Sequence, residues 1–393
     1  MEYSHLGARP EPGSETWVEV IMALSDQKPA IPRSAMLDEI LEQPAAIERT
    51  LQHYGNLSEL EARLAPVFTH RDRLVIAASG SSRHAGLAAE VIIEDLCDLA
   101  VDVEYASEYL YRSAHSLLSP ALMVISQSGE TADTLAVLRQ GKAHQMRTVA
   151  ITNVDGSSIM GEAEVAFLTQ AGKELAIPAT KSFTNQLVML QLLAIAMANL
   201  RGSHANFGRA LTCLQQLPEL AFASVGAWQK EVGEVVERYR NAQAFMLVGR
   251  GVHYSIAREG ALKLKETAYR QAEAYPAGEI RHGPQALVSK QVPAVVIATH
   301  DANDQDSMLR YRKTLEIANE LRAKGGEVIA IINAGDTEAR RLASCAIAVP
   351  VSNEYGLAVL EVIPLQLLAC FLAMSDGIDP DRPRHLSKAV MRK

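Results

Sequence analysis

The sequence predicts an α/β fold built as two similar halves, each a parallel sheet sandwiched between helices in three layers (αβα). Three observations predict it. Continuous apolar runs that suit buried strands alternate with amphipathic runs at helical spacing. The alternation occurs twice, with EVIAIIN matching TVAITN and CAIAVPV matching VAFLT. Corresponding markers also keep their distance: Gly80 and Gly251 are 171 positions apart, Asn153 and Asn333 180, so the second copy carries nine more residues.

The elements follow in order. Residues 1–33 contain Pro10, Pro12, Gly13, Pro29 and Pro32 and one short apolar piece, Trp17 to Leu24. They read as an irregular arm that packs on another domain or subunit. MLDEILEQPAAIERTLQHY has Met36, Ile40, Leu41, Ile47 and Leu51 near helical period, and Pro44 kinks it or splits it in two. Strands are expected at 74–79, 121–126, 148–153 and 165–169, with AGLAAEVIIEDL and TADTLAVLRQGKAHQ as helices. The second half gives strands at 244–251, 292–298, 327–333 and 345–351, with SIAREGALKLKETAY and LRYRKTLEIANELRAKG as helices. Residues 187–220 join the halves. The longest apolar run there, LVMLQLLAIAMANL, is shorter than the ~18 residues of a spanning helix and is interrupted by Gln191, so it is expected to be a helix buried at an interface. The expected domains are an arm (1–35), a first half (36–215), a second half (216–378) and a tail (379–393).

Composition narrows the function. The 393 residues suffice for two or three domains, and 48% hydrophobic against 21% charged residues supports a sizeable core. Asp and Glu (46) outnumber Lys and Arg (38), giving a net charge of −8, which argues against nucleic acid as the main partner. Cys97, Cys213, Cys345 and Cys370 form no CxxC pair, so reduced thiols in a cytoplasmic setting are expected, and no HExxH-type motif suggests a metal. The opening MEYSHLGARPEPGSETW lacks the basic and apolar stretches of a signal peptide. The chain is thus expected to need no cofactor and to engage no membrane.

The candidate chemistry lies at strand ends, where open parallel sheets bind ligands at helix N-termini. The first strand runs into Ser79-Gly80-Ser81-Ser82 and the second into Ser126-Gln127-Ser128-Gly129-Glu130-Thr131. Hydroxyls and backbone N–H groups there can hold an anion without a metal. Either loop alone also suits an ordinary cap and turn. Neither matches GxGxxG or GxxxxGK[ST], so no nucleotide site is read. Pro178-Ala179-Thr180-Lys181-Ser182 is a third hydroxyl-rich stretch that could line the same pocket. In the second half, Lys263 and Glu266 share a helix face; alone, they suit a solvated ion pair. His282 sits in a Gly/Pro-bounded loop, where imidazole can serve as acid and base. Lys388 lies in the basic tail RPRHLSKAVMRK.

Taken together, SQSGETADT, GRG…EGALKLKE, EAYPAGEIRHGP and PLQLLA…DPDRPRHLSKAV resemble the isomerase half of the glucosamine-6-phosphate synthases, the glutamine–fructose-6-phosphate amidotransferases. The similarity runs in the same order from Met36 to the C-terminus. It implies two sugar-isomerase (SIS) domains. It also implies roles: Ser82, Ser126, Gln127, Ser128 and Thr131 on the sugar phosphate, and Ser81 on the sugar, within a binding set that includes Gly80, Ile177, Ala179 and Ser387. His282, supplied by the neighbouring subunit of a homodimer, would open the sugar ring. Glu266 would move the proton between C1 and C2 beside Lys263. Lys388 would form a Schiff base, after losing a proton in surroundings expected to be cationic. Ser79 departs from the family's Cys, Ala179 from its Ser, and Pro178 and Pro276 from its Ala. No counterpart of the family's N-terminal Cys glutaminase is expected, since residue 2 is Glu2. The expected reaction is therefore glucosamine 6-phosphate plus water to fructose 6-phosphate plus ammonia. Alternatives are a fructosamine-6-phosphate deglycase or ketose/aldose isomerase, a synthase supplied with ammonia from elsewhere, and a phosphosugar-binding regulator without turnover.

Overall fold

The computed structural model describes residues 33–68, 72–112, 120–203 and 207–388, apart from the Phe207 side chain. The expected arm lies outside these residues up to position 32, as does the tail after Lys388. Two five-stranded, all-parallel sheets form the frame. The first contains β1 (Arg73–Ala78), β2 (Ala100–Tyr105), β3 (Ala121–Ser126), β4 (Thr148–Thr152) and β5 (Val165–Leu168), in the order β2-β1-β3-β4-β5. The second contains β6 (Ala244–Gly249), β7 (Gln271–Pro276), β8 (Ala294–Ala298), β9 (Val328–Asn333) and β10 (Cys345–Val349), in the order β7-β6-β8-β9-β10. Counted from each half's first strand, the two orders are the same, as the internal repeat predicts.

The repeat has one more strand per copy than the apolar runs predict. β2 (AVDVEY) and β7 (QAEAYP) are edge strands, largely half-exposed, with acids among their apolar residues. β3 and β4, inside the sheet, are buried along their whole length. Interior strands of a parallel sheet, covered on both faces, produce uninterrupted apolar runs, and of the four edge strands only β5 and β10 keep one.

The opening helix is split as expected, into Ala35–Leu41 and Gln43–His53, with Pro44 in the first turn of the second piece. The helix Lys181–Leu200 is buried inside the chain, against the helices Gly80–Cys97, Leu57–Phe68 and Gln43–His53. It is not the most extended apolar element, because Glu354–Ser375 is longer and more apolar. Both are long and apolar enough to cross a membrane, yet 89% and 94% of their most apolar windows are buried within this fold. Their polar groups find partners inside the chain: Gln366 accepts from Gln43 (2.6 Å), and Gln191 donates to the Tyr355 carbonyl (3.0 Å). Between the halves, Phe207–Tyr239 is one 33-residue helix whose fully buried Trp228 donates to the Ala348 carbonyl in β10 (2.7 Å).

The second sheet carries a buried charge network at its strand tips. His253 lies 2.9 Å from Glu361 and 3.3 Å from Glu354. Arg310 binds Glu354, and Thr299 donates to Glu361. Burial opposes charge on His253, but the two carboxylates outweigh it and hold the imidazole at about 10. Burial likewise opposes charge on Glu354, whose carboxyl is nevertheless held down to about 2 by His253 and Arg310. A raised histidine stabilises the fold fully below its unfolded value and loses that contribution as pH rises toward 10; a depressed carboxyl contributes above its unfolded value and loses it as pH falls toward 2. The network therefore contributes most near pH 5–6. Replacing His253 by Ala is expected to cost about 3–5 kcal/mol, as for other broken buried pairs. Urea unfolding at pH 6 and pH 9.5 checks this, and the gap between wild type and variant should shrink at the higher pH.

Candidate active site

In a sheet ordered β2-β1-β3-β4-β5, the connections leave in opposite directions from the tips of β1 and β3, opening a crevice there. Both serine loops sit at these tips. After β3, the Ser126 hydroxyl pairs with that of Thr131 (2.9 Å) and accepts the Gly129 N–H (3.1 Å). Ser128 accepts the Glu130 N–H (3.2 Å), and the Gln127 carbonyl accepts the Asn153 N–H (3.1 Å). Gly129 has φ +67°, and a Cβ there would lie 2.1 Å from the Ser157 hydroxyl, so only glycine closes this turn. After β1, Gly80 turns the chain at φ +55° and Ser82, buried, accepts from Gln186 (3.0 Å). The result is a cup of buried and half-buried hydroxyls at the two strand tips.

The helix Val252–Ala268 brings the titratable groups to this cup. Ser81 donates to Glu259 (2.8 Å), and His84 Nδ1 lies 2.8 Å from the other oxygen of the same carboxylate. Lys263 is 3.4 Å from Glu259 and 2.5 Å from Glu266. Glu259 and Lys263 are essentially inaccessible, whereas Glu266 is 23% exposed. Lys263 and Glu266 are thus no solvated surface pair. Burial opposes the charge on Lys263, but Glu266 and Glu259 hold its ammonium well above the usual lysine range. Glu259 is also buried, yet Lys263, His84 and Ser81 keep it below the ordinary carboxylate range. Glu266 opens into a cleft of about 400 Å³, lined by Lys265, Glu266, Tyr269, Arg384, His385 and Leu386 among others.

The tail forms the second cluster. Lys388 binds the fully buried Glu174 (2.7 Å) and the Ala176 carbonyl. Glu174 also accepts from the Thr180 N–H (2.9 Å) and from the Ser182 hydroxyl (2.7 Å) and N–H. Burial would raise Glu174, but Lys388 and these donors bring it below the usual range. Lys388 therefore sits against a carboxylate, not among cations as expected. The reason is local: its position reads as a basic tail in sequence, but the fold closes it onto the Glu174 loop. The tail is fixed at two further points. The Asp381 carboxylate caps Ala35 and Met36 (2.8 and 2.7 Å), and its carbonyl accepts the Ile177 N–H (2.9 Å). The Arg384 N–H donates to the Tyr269 hydroxyl (2.8 Å), and its guanidinium lies 4.3 Å from that ring's centre.

The fold thus gathers Ser81, Lys263 and Glu266 into one hydrogen-bonded and ion-paired run through Glu259. The Glu174–Lys388 pair is close enough for Glu174 to raise Lys263. Ile177 and Ala179, both half-buried, lie in the loop carrying Glu174, and Ser387 is exposed beside Lys388. His282 ends a 3₁₀ turn after β7 and is exposed, and no hydrogen bond or ion pair joins it to these groups. Sequence reasoning misses Glu174, Glu259 and His84. Glu259 was within reach, since it precedes Lys263 by four positions on one helix face; Glu174 has no local signal. Among the described residues, no group of three or more His, Cys, Asp or Glu is arranged to hold a metal.

The family model for the SIS domain matches residues 67–196 and 238–375, one match on each sheet. The chain belongs to the SIS-domain family. This double-SIS chain is 39% identical over 366 residues to the glutamine–fructose-6-phosphate aminotransferase (isomerizing) of Chlorobaculum tepidum, and 40% identical over 365 residues to that of Bordetella parapertussis. The alignments cover 90% and 91% of this chain, which spans 58% of the length of either relative. Among solved structures, the C-terminal domain of the glucosamine–fructose-6-phosphate aminotransferase of Francisella tularensis superposes with a TM-score of 0.82 at 34% identity, covering 90% of this chain and 99% of that one. A Thermotoga maritima glucosamine-6-phosphate deaminase shares the fold, with a TM-score of 0.70 at 24% identity over 91% of this chain and all of that one.

Tyr269 has the geometry of a latch for the SIS tail. Tyr269→Phe removes the acceptor for Arg384 and is expected to weaken closure by about 1 kcal/mol, the net worth of one hydrogen bond. Trypsin cleavage after Arg384 should then accelerate several-fold in the native protein, read by mass spectrometry, with the melting temperature nearly unchanged.

Proposed function

We propose that this chain is an amino-sugar-phosphate isomerase working in the deaminating direction: glucosamine 6-phosphate and water give fructose 6-phosphate and ammonia. The observation that carries the reading is the run Ser81–Glu259–Lys263–Glu266, which connects the serine loop to a carboxylate opening into a cleft beside the tail. Kinship with isomerizing aminotransferases supports sugar-phosphate chemistry. A pure binder needs the serine cup but not this proton-moving set.

In this reading the cup grips the phosphate through Ser82, Ser126, Gln127, Ser128 and Thr131 at the Gly80 turn. Ser81 meets a sugar hydroxyl, and Ile177, Ala179 and Ser387 line the wall. Phosphate binding energy, remote from the reacting carbons, holds them in place. His282 of a neighbouring subunit opens the ring. Glu266 takes the proton from C2 and returns it to C1 while the proton lost by the amine passes to O1, so that the aldehyde becomes an alcohol and the C2 amine an imine. The Lys388 ammonium gives a proton to the imine nitrogen, and its freed amine attacks C2 and expels ammonia. Water then cleaves the lysine Schiff base, leaving the ketone. Glu174 holds the Lys388 amine in place, and the buried Lys263 ammonium, 2.5 Å away, positions Glu266 between transfers. Where ammonia is scarce and water abundant, mass action favours deamination.

Purified protein should release ammonia from glucosamine 6-phosphate in a coupled assay, and no release overturns the reading. Glu266→Gln should lose about 10²–10⁴-fold in kcat, the usual worth of a general acid–base; an undiminished rate refutes the assigned shuttle. Mixing inactive His282→Ala with inactive Lys388→Ala protein should regain activity in mixed dimers if each site draws on both chains.

A further inference from the structure

A second cluster lies along the seam where the helices Gly80–Cys97 and Val252–Ala268 cross, and the reaction scheme leaves it unused. Arg83 directly follows Ser82, and Arg258 directly precedes Glu259. The Arg83 guanidinium stacks over the Tyr105 ring at 3.7 Å from its centre. Arg258 donates to the Tyr105 hydroxyl (3.0 Å) and to the Tyr254 hydroxyl (3.1 Å). Among the described residues neither arginine has a carboxylate within ion-pair distance, in a chain of net charge −8. The nearest acids are otherwise disposed: Glu104 pairs with Arg112, and burial pushes the Glu90 carboxyl up. Arg83 Nη2 donates to the Val103 carbonyl (3.4 Å), but its Nε and Nη1 are shut off from solvent without an acceptor. Buried unpaired donors on a cation are costly, and the stacked ring offsets only part of that cost. Burial, and to a lesser degree the nearby Arg258, lower the Arg83 guanidinium, and Tyr105, Glu104 and Glu90 offset this only in part.

We propose that Arg83 and Arg258 form a second oxyanion subsite, separate from the serine cup, that takes a carboxylate or phosphate group, with the Tyr105 ring as its movable cover. The planar forks suit two-point recognition of such a group. Resting on the sugar-phosphate reading, the oxyanion is either carried on the nitrogen substituent of a ketosamine 6-phosphate or belongs to a separate effector.

Two measurements on the full chain distinguish these sources. The first compares kcat/KM for a ketosamine 6-phosphate bearing a glycine carboxylate with that for its glycinamide counterpart. The second records the rise in melting temperature caused by citrate. Both use wild type, Arg83→Gln, Arg258→Gln, Arg258→Lys and Ser128→Ala; Arg258 is partly exposed, so its variants keep the test valid should Arg83→Gln fail to fold. A preference for the carboxylate of roughly tenfold, as for a charge-assisted hydrogen bond, that the Gln variants abolish and Arg258→Lys partly restores, assigns the subsite to the substrate. No such preference, with a citrate shift lost in the Gln variants and kept in Ser128→Ala, assigns it to an effector. If the Gln variants match wild type in both measurements, the subsite is overturned. If no sugar phosphate turns over while the Gln variants still lose the citrate shift, the subsite stands and the proposed reaction falls.

Discussion

One carboxylate, Glu259, makes the two halves a single site. It lies on the second half's first helix, fully buried, and its oxygens meet Ser81 and His84 from the first half and Lys263 from its own. A buried carboxylate without partners costs several kcal/mol, so each of these groups is held as firmly as it holds the acid. Ser81 is thereby aimed across the seam, and Lys263 is held at a depth where a free ammonium would not stay. Glu266, one turn beyond Lys263 and two beyond Glu259, takes its orientation from that arrangement.

The two sheets share one topology but use their strand tips differently. At β1 and β3 the loops are short, hydroxylated and rich in N–H groups. At β6 and β8 the equivalent space is filled by His253, Glu354, Glu361 and Arg310. A duplicated fold has two crevices at its switch points, and here one is closed by side chains of its own. The closed half contributes instead through the outer face of its first helix and through the tail.

The sequence reveals the fold well where physics leaves a periodic trace. Both-sided burial writes apolar runs for β1, β3, β4, β8 and β9, and Pro44 marks the break between the first helices. Edge strands β2 and β7 carry acids among their apolar residues and leave no such run, whereas the edge strands β5 and β10 do. In the site, the serine loops are legible because hydroxyls cluster at strand ends, and Lys263 and Glu266 because of helical spacing. Glu174 is not, because its importance comes from contacts with Lys388, over two hundred positions away. The surroundings of Lys388 are illegible for the same reason: a tail's neighbours are set by where the chain returns, not by its own composition.

The Asp381 carboxylate on the amides of Ala35 and Met36 brings the first described helix and the last described stretch of backbone side by side. Such proximity suits circular permutation. A short linker could join the two, with new ends opened at the exposed Lys324–Gly325 bend that leads into β9. In the rearranged gene the stretch that carries Lys388 would become an internal loop, anchored on both sides, and the amine would be held from two directions.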